Sequence, residues 1–207
     1  MAVALALSEP VATRLGYSPP FTLPRPADDR LSVHVLPGTG GLTVQAGALY
    51  PRDDPWLPWL ADEGSCPRGE DRAAPPRVQA QVFLCLANFA RARQGLGPLV
   101  YSRLLSASAQ AKAADIVRCD SFAHEACGQA PDAAARALGW RGAFGENLYL
   151  SGPPLTSPRV ALDRWLSSPG HRENLFRPEW KALGVALLPG SVGPFPHGVV
   201  WVTHFGD

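Results

Sequence analysis

The residues best equipped for chemistry in this chain are two histidines and a glutamate. His124 follows Phe122-Ala123, Glu146 lies in Gly145-Glu146-Asn147-Leu148, and His171 lies in Ser168-Pro169-Gly170-His171-Arg172. Imidazole nitrogen is a common zinc ligand, and a carboxylate beside it can orient the ring or activate a water. Three separate segments with apolar flanks deliver these groups, a pattern suited to a cleft that takes a cation or a polar ligand. Gly145 permits close backbone approach, and Asn147 can bond nearby backbone groups. Purely structural roles are also open: the histidines bonding across the cleft, and Glu146 accepting backbone N–H bonds. The other histidines, His34, His197 and His204, read as surface or strand-face residues.

Rival chemistries find little support. No Gly-x-Ser-x-Gly elbow is present, and Gly190-Ser191-Val192-Gly193 does not fit one. No Gly-rich phosphate loop precedes a helix, and the His-Glu-x-x-His metalloprotease helix is absent. Cys127 follows His124 by three residues, which suits a thiol–imidazole pair or, with Cys119, part of a zinc site lacking its fourth ligand. A disulfide at Cys127 ends both ideas.

The elements that must position these groups follow from periodicity and punctuation. Residues 77–95 predict a helix with Val78, Val82, Cys85, Phe89 and Ala92 on its apolar face, ended by Gly95 and Gly97-Pro98. Ser102 caps a second helix to Val117, with Leu104, Ala107, Ala111, Ala114 and Val117 in line and alanines that allow close packing. Pro131 to Leu138 is a short helix closed by Gly139. Glu146 to Leu150 is a strand. Ser157-Pro158 opens a helix through Leu166 whose buried stripe is Ala161, Leu162, Trp165 and Leu166. Ser168-Pro169 restarts a turn or short helix carrying His171. Leu183–Leu188 and Val199–Phe205 are antiparallel strands joined by a Pro/Gly-rich connection over 189–198. Helices on both sides of a small, mainly antiparallel sheet make an α+β, three-layer α/β/α sandwich.

Residues 1–76 hold more than half of the 22 prolines, which forbids long helices there. This stretch reads as a Pro-rich extension ahead of a domain over 77–207. It includes a strand at Leu31, Val33 and Val35, a turn at Pro37-Gly38-Thr39-Gly40-Gly41, a returning strand over Leu42–Ala46, and a linker over 61–76. Ala2–Leu7 is apolar but too short, and without the basic start, to read as a full signal peptide.

Composition narrows the class. In 207 residues the net charge is +1 and 18% of residues are charged, so the basic face of a nucleic-acid binder is missing. No apolar run approaches the roughly 18 residues of a membrane span. Cys66, Cys85, Cys119 and Cys127 allow three pairings, or four buried thiols. Cys66–Cys85, tying the extension to the first helix, and Cys119–Cys127, bracing the His124 loop, are favoured.

From Cys85 onward the chain resembles the CAP superfamily, also called SCP: cysteine-rich secretory proteins, antigen 5 and pathogenesis-related proteins, in its bacterial single-domain branch. The likeness spans about 77 to 206. It rests on Cys85-Leu86-Ala87-Asn88, Arg91, Gly95-Leu96-Gly97-Pro98-Leu99, His124, Gly139-Trp140 and Gly145-Glu146-Asn147-Leu148. It continues through Trp165, Ser168-Pro169-Gly170-His171-Arg172-Glu173-Asn174-Leu175, Leu183-Gly184-Val185 and Phe205-Gly206. The resemblance implies the same sandwich, export from the cell, and a cavity formed by His124, Glu146 and His171. It implies that His124 and His171 can hold zinc or another divalent cation, weakly. Lipid or sterol binding in some relatives and claimed proteolysis in others come with it.

Many family members carry a second glutamate three residues after the tryptophan that matches Trp165; here that position is Ser168. Glu173, two residues past His171 on a helical turn, points elsewhere and is a poor substitute. The expectation is therefore a monomeric extracellular binding module for a lipid, an envelope component, a protein partner or a metal. A metal-dependent hydrolase using the same three residues is the alternative.

Overall fold

The structure, a computed structural model, describes residues 36–38, 41–43 and 56–207. Strands β1 (Leu36–Gly38) and β2 (Gly41–Thr43) pair antiparallel. The strand expected over Leu31, Val33 and Val35 lies outside the described residues. The main sheet contains β3 (Val100–Tyr101), β4 (Phe144–Ser151), β5 (Ala182–Val192) and β6 (Phe195–Gly206) in the order β3-β5-β6-β4. Only the β3–β5 pairing is parallel. The two long strands run through the stretch expected to be a connection, with an irregularity between Gly190 and Val192 before the turn.

The helices are α1 (Pro76–Arg93), α2 (Arg103–Arg118), α3 (Ala133–Ala137), α4 (Pro158–Ser167) and α5 (Pro169–Leu175). Ser102 Oγ accepts from Leu105 N and starts α2; Ser157 Oγ accepts from Val160 N and starts α4, with Pro158 behind it. Alternation along the strands serves two cores. Leu183, Val185, Leu187, Trp201 and Phe205 face α1 and α4, whereas Ala186, Val200 and Val202 meet Ala109, Ala113 and Ile116 of α2. The fold is α+β with helices on both faces of the sheet, as the sequence predicts.

Two helical faces differ from expectation. On α1 the buried residues are Gln79, Ala80, Phe83, Leu86, Ala87, Ala90 and Arg91, while Cys85 and Ala92 are exposed. Apolar residues spread beyond one face of this helix, so packing rather than periodicity selects the inner one: Phe83 and Leu86 go inward between alanines, and Val82 and Phe89 stay at the margin of the core. On α2 the buried residues are Leu105, Ser108, Ala109, Lys112, Ala113 and Ile116, one position round from the predicted stripe. The cause is Gly184. A Cβ there would sit 2.1 Å from the Leu105 carbonyl carbon and 2.3 Å from Ser106 N. The first turn of α2 lies directly on the sheet, and this contact fixes its rotation.

Both expected disulfides are present. Cys66–Cys85 has a Cα–Cα distance of 5.9 Å and Cys119–Cys127 of 5.6 Å, and no described cysteine is free. The thiol chemistries considered for Cys127 therefore end. Leu60 is buried, as are Ala61, Cys66 and Ala74 from the stretch read as a linker, and the first three of these four lie in the α1-side core. Arg159 on α4 donates to the Ala61 carbonyl, and Ser157 Oγ bonds Glu70 at 3.0 Å. No described helix is long and apolar enough to cross a membrane.

Arg91 is fully buried, and its guanidinium donates to four carbonyl oxygens, those of Gly97, Leu175, Arg177 and Trp180. Burial pulls its pKa down. The four carbonyls solvate the guanidinium, and Leu175 is the last residue of α5, at the negative end of its dipole.

Gly184→Ala is expected to destabilise by about 1–3 kcal/mol or more, because backbone, not a flexible side chain, blocks the new methyl. Gly97→Ala, which meets nothing within 4 Å, is the control and should melt near the parent temperature. Trp165, 1% exposed and edge-on to Phe83 at 5.2 Å, should cost about 3–5 kcal/mol on truncation to alanine. Denaturant melts of the three variants check these values.

Candidate functional site

Glu146 is the centre of the site. It lies on β4 opposite His204 on β6, and its side chain is 2% exposed. Oε1 meets His124 Nδ1 at 2.6 Å and Oε2 meets His204 Nε2 at 2.9 Å. A carboxylate only accepts, so both facing nitrogens carry protons. His204 is completely buried, in contrast to its sequence reading as a surface or strand-face residue. Its Nδ1 lies 2.6 Å from Ser108 Oγ on α2, and Phe144 packs edge-on over its ring at 4.7 Å. With Nε2 protonated and the ring neutral, the Nδ1 lone pair faces Ser108 Oγ, whose single proton is shared between this nitrogen and the Leu105 carbonyl at 2.8 Å.

The sequence hid this member. His204 stands in step with Val200 and Val202, on the face turned to α2, and that alternation was the available signal for burial. The register that sets it against Glu146 is not visible in one strand alone. His197 is exposed as expected, and His34 lies outside the described residues.

His124 sits in the loop that Cys119–Cys127 closes. Lys112, itself 2% exposed, donates its ammonium to the His124 carbonyl and ties the loop to α2. The His124 side chain is 47% exposed. Since Nδ1–H is held by Glu146, Nε2 offers its lone pair outward when the ring is neutral.

His171 is carried by α5. Its Nδ1 bonds Ser168 Oγ at 2.9 Å, and its carbonyl accepts from Asn147 Nδ2 at 3.0 Å. Ser168 is the N-cap of α5 but makes no side-chain cap, because its hydroxyl is turned to the imidazole. Asn174 completes the mount, donating to Glu146 O and Asn147 Oδ1 while Trp180 Nε1 bonds its carbonyl. Gly145 is required here: a Cβ would fall 2.6 Å from Asn174 Oδ1 and 2.8 Å from Trp180. Neighbours on a strand point to opposite faces. Glu146 therefore holds His124 on one side of β4, while Asn147 holds α5 and His171 on the other. Glu173 is exposed and outside this cluster.

Burial is the main cause that lowers the His204 pKa; the hydrogen bond and charge of Glu146 oppose it, and Lys112 adds to the fall. His171 is lowered by burial first and by the charge of His124 second.

A family model described as "Cysteine-rich secretory protein family" matches residues 85–205, which include His124, Glu146, His171 and His204. The chain belongs to the cysteine-rich secretory protein (CAP) family. It is 29% identical over 139 residues to YkwD, an uncharacterized protein of Bacillus subtilis (strain 168), covering 64% of this chain and 49% of that protein. An extracellular protein containing an SCP domain from Bacillus anthracis str. Ames superposes with TM-score 0.54 at 22% identity, over 64% of this chain and 41% of that one. An outer surface protein from Borrelia burgdorferi gives TM-score 0.51 at 18% identity, over 61% of this chain and 90% of that one. At these identities the two structures share the fold with the CAP domain here. The chain spans about half the length of the curated relative it matches.

The metal that the resemblance implies would meet two imidazole nitrogens in this CAP domain. Both Glu146 oxygens are already bonded to N–H groups, and the family's second glutamate is Ser168. Among the described residues no group of three or more His, Cys, Asp or Glu is placed to hold a metal ion. Catalytic zinc sites take three protein ligands. This donor set does not fit a closed metal centre.

Both lowered imidazoles are neutral in the fold where the unfolded chain would protonate them. From the ordinary value of 6.5 down to the lower folded values, the unfolded state binds more protons. Stability accordingly rises with pH across that window and is lost as pH falls through it. Melting temperature is expected to drop between about pH 7 and about pH 5, with a shallower slope in His171→Gln. Equal slopes in parent and variant would show that His171 does not resist protonation.

Proposed function

We propose that this CAP domain is an extracellular binding module, and that its cleft presents the Nε2 atoms of His124 and His171 to a small polar ligand or a weakly held divalent cation. The observation that carries this reading is the engagement of Glu146. With an imidazole N–H on each oxygen and 2% exposure, it orients rings and is not free to take a proton from a water. The hydrolase alternative loses its general base by the same geometry, and Ser168 supplies no replacement carboxylate. The two disulfides and family membership support a location outside the cytoplasm. A lipid or envelope component presented to the cleft, with the domain acting as a monomer, is the partner this reading favours.

Calorimetric titration with zinc tests the binding half. The parent should bind with modest affinity, and His171→Ala and His124→Ala should each reduce binding by at least about tenfold, the loss of one of two protein ligands. A peptide-library digest with and without zinc tests the other half. No zinc-dependent cleavage is expected. Cleavage abolished in both His171→Ala and Glu146→Gln would overturn the binding reading and establish the hydrolase.

A further inference from the structure

His204 is a costly residue to place where it stands. It is fully buried, in step with Val200 and Val202, and covered by Phe144 and α2. An apolar side chain would fill that volume without the cost of burying two ring nitrogens. Both nitrogens have partners, and the partners differ in kind: Ser108 on a helix and Glu146 on the neighbouring strand. Ser108, His204 and Glu146 thus follow the order of a serine-protease triad, but Ser108 has no exposed surface and also lies 2.8 Å from the Leu105 carbonyl. No substrate reaches its oxygen, so the line does not attack anything.

What the line does is visible at its outer end. Glu146 Oε2 is pinned by His204, which leaves Oε1 in one orientation toward His124 Nδ1. A neutral imidazole in water prefers its proton on Nε2. Here the carboxylate demands it on Nδ1, and the preference is reversed. His124 is nearly half exposed and has no other described side-chain bond to hold its ring. Without His204, Oε2 loses its donor, the carboxylate is free to rotate, and the ring at the mouth returns to its ordinary tautomer mixture.

We propose that His204, backed by Ser108, is a positioning residue that locks Glu146 and thereby fixes His124 as the Nδ1–H tautomer, with the Nε2 lone pair turned to the cleft. This deepens the binding reading, since a ligand cation needs that lone pair, but the tautomer itself can be read with no ligand present.

The test uses the full chain labelled with 15N. Long-range 1H–15N correlations are recorded at about pH 8, above the ordinary imidazole range. The parent is expected to show His124 protonated on Nδ1. His204→Leu should shift His124 toward Nε2–H. His204→Gln, whose amide can donate to Glu146 and accept from Ser108, should retain Nδ1–H. Amide dispersion reports whether each variant is folded; should His204→Leu fail to fold, His204→Asn, too short to reach Glu146, replaces it. With zinc as the probe, the leucine variant should bind about 10–100-fold more weakly and the glutamine variant within a few-fold of the parent. An Nε2–H parent, or an unchanged Nδ1–H signal in the leucine or asparagine variant, overturns the proposal. Loss of zinc binding in every protein, with the tautomer pattern as expected, sinks the binding reading and leaves the role of His204 intact.

Discussion

A carboxylate sealed from water needs hydrogen-bond donors on its oxygens, and that need shapes the centre of this domain. Glu146 obtains them from rings on two different elements, a loop and a strand. The strand partner requires the β4–β6 register, in which Glu146 faces His204. His204 in turn requires a polar atom on the helix above it, and Ser108 supplies one because α2 rests on Gly184 with no side chain between. Gly184 is itself the β5 partner of His204 in the ladder. The close helix–sheet contact and the polar line are therefore one arrangement, seen from its packing side and its chemical side.

The same strand holds the cleft from both faces. Residues 145 to 147 each do one job: Gly145 leaves room for Asn174 and Trp180, Glu146 turns toward α2 and its loop, and Asn147 turns toward α5. Each imidazole is thus tied to its own layer, His124 through Lys112 and the Cys119–Cys127 loop, His171 through Ser168 and Asn147. Both mounts start from β4, an edge strand of the sheet.

Much of this was legible in residue types and spacing. The caps at Ser102 and Ser157, the Trp165 stripe, the two disulfides and the last two strands are local signals, and local chemistry decides them. The two misread helix faces share a different origin. On α1, apolar residues spread beyond one face, so no period picks a side. On α2, Ser108 and Lys112 are polar and do not advertise burial; their partners, His204 and the His124 carbonyl, are distant in sequence. His204 was missed for the same reason. Its role exists only through a cross-strand register and a helix contact, and neither is written in the residues around it.

Arg91 carries a consequence for how far this sequence can drift. Its planar fork reaches carbonyls of the segment after α1 and of the end of α5 at once. Lysine, the usual stand-in for arginine, would bring an equal charge from a single point on a flexible stem. It cannot answer four oxygens laid out for a guanidinium, and some carbonyls near the end of α5 would go unbonded. The substitution looks neutral on an electrostatic map, yet it loosens the mount of His171 from behind, and the spacing across the cleft becomes a distribution instead of a length.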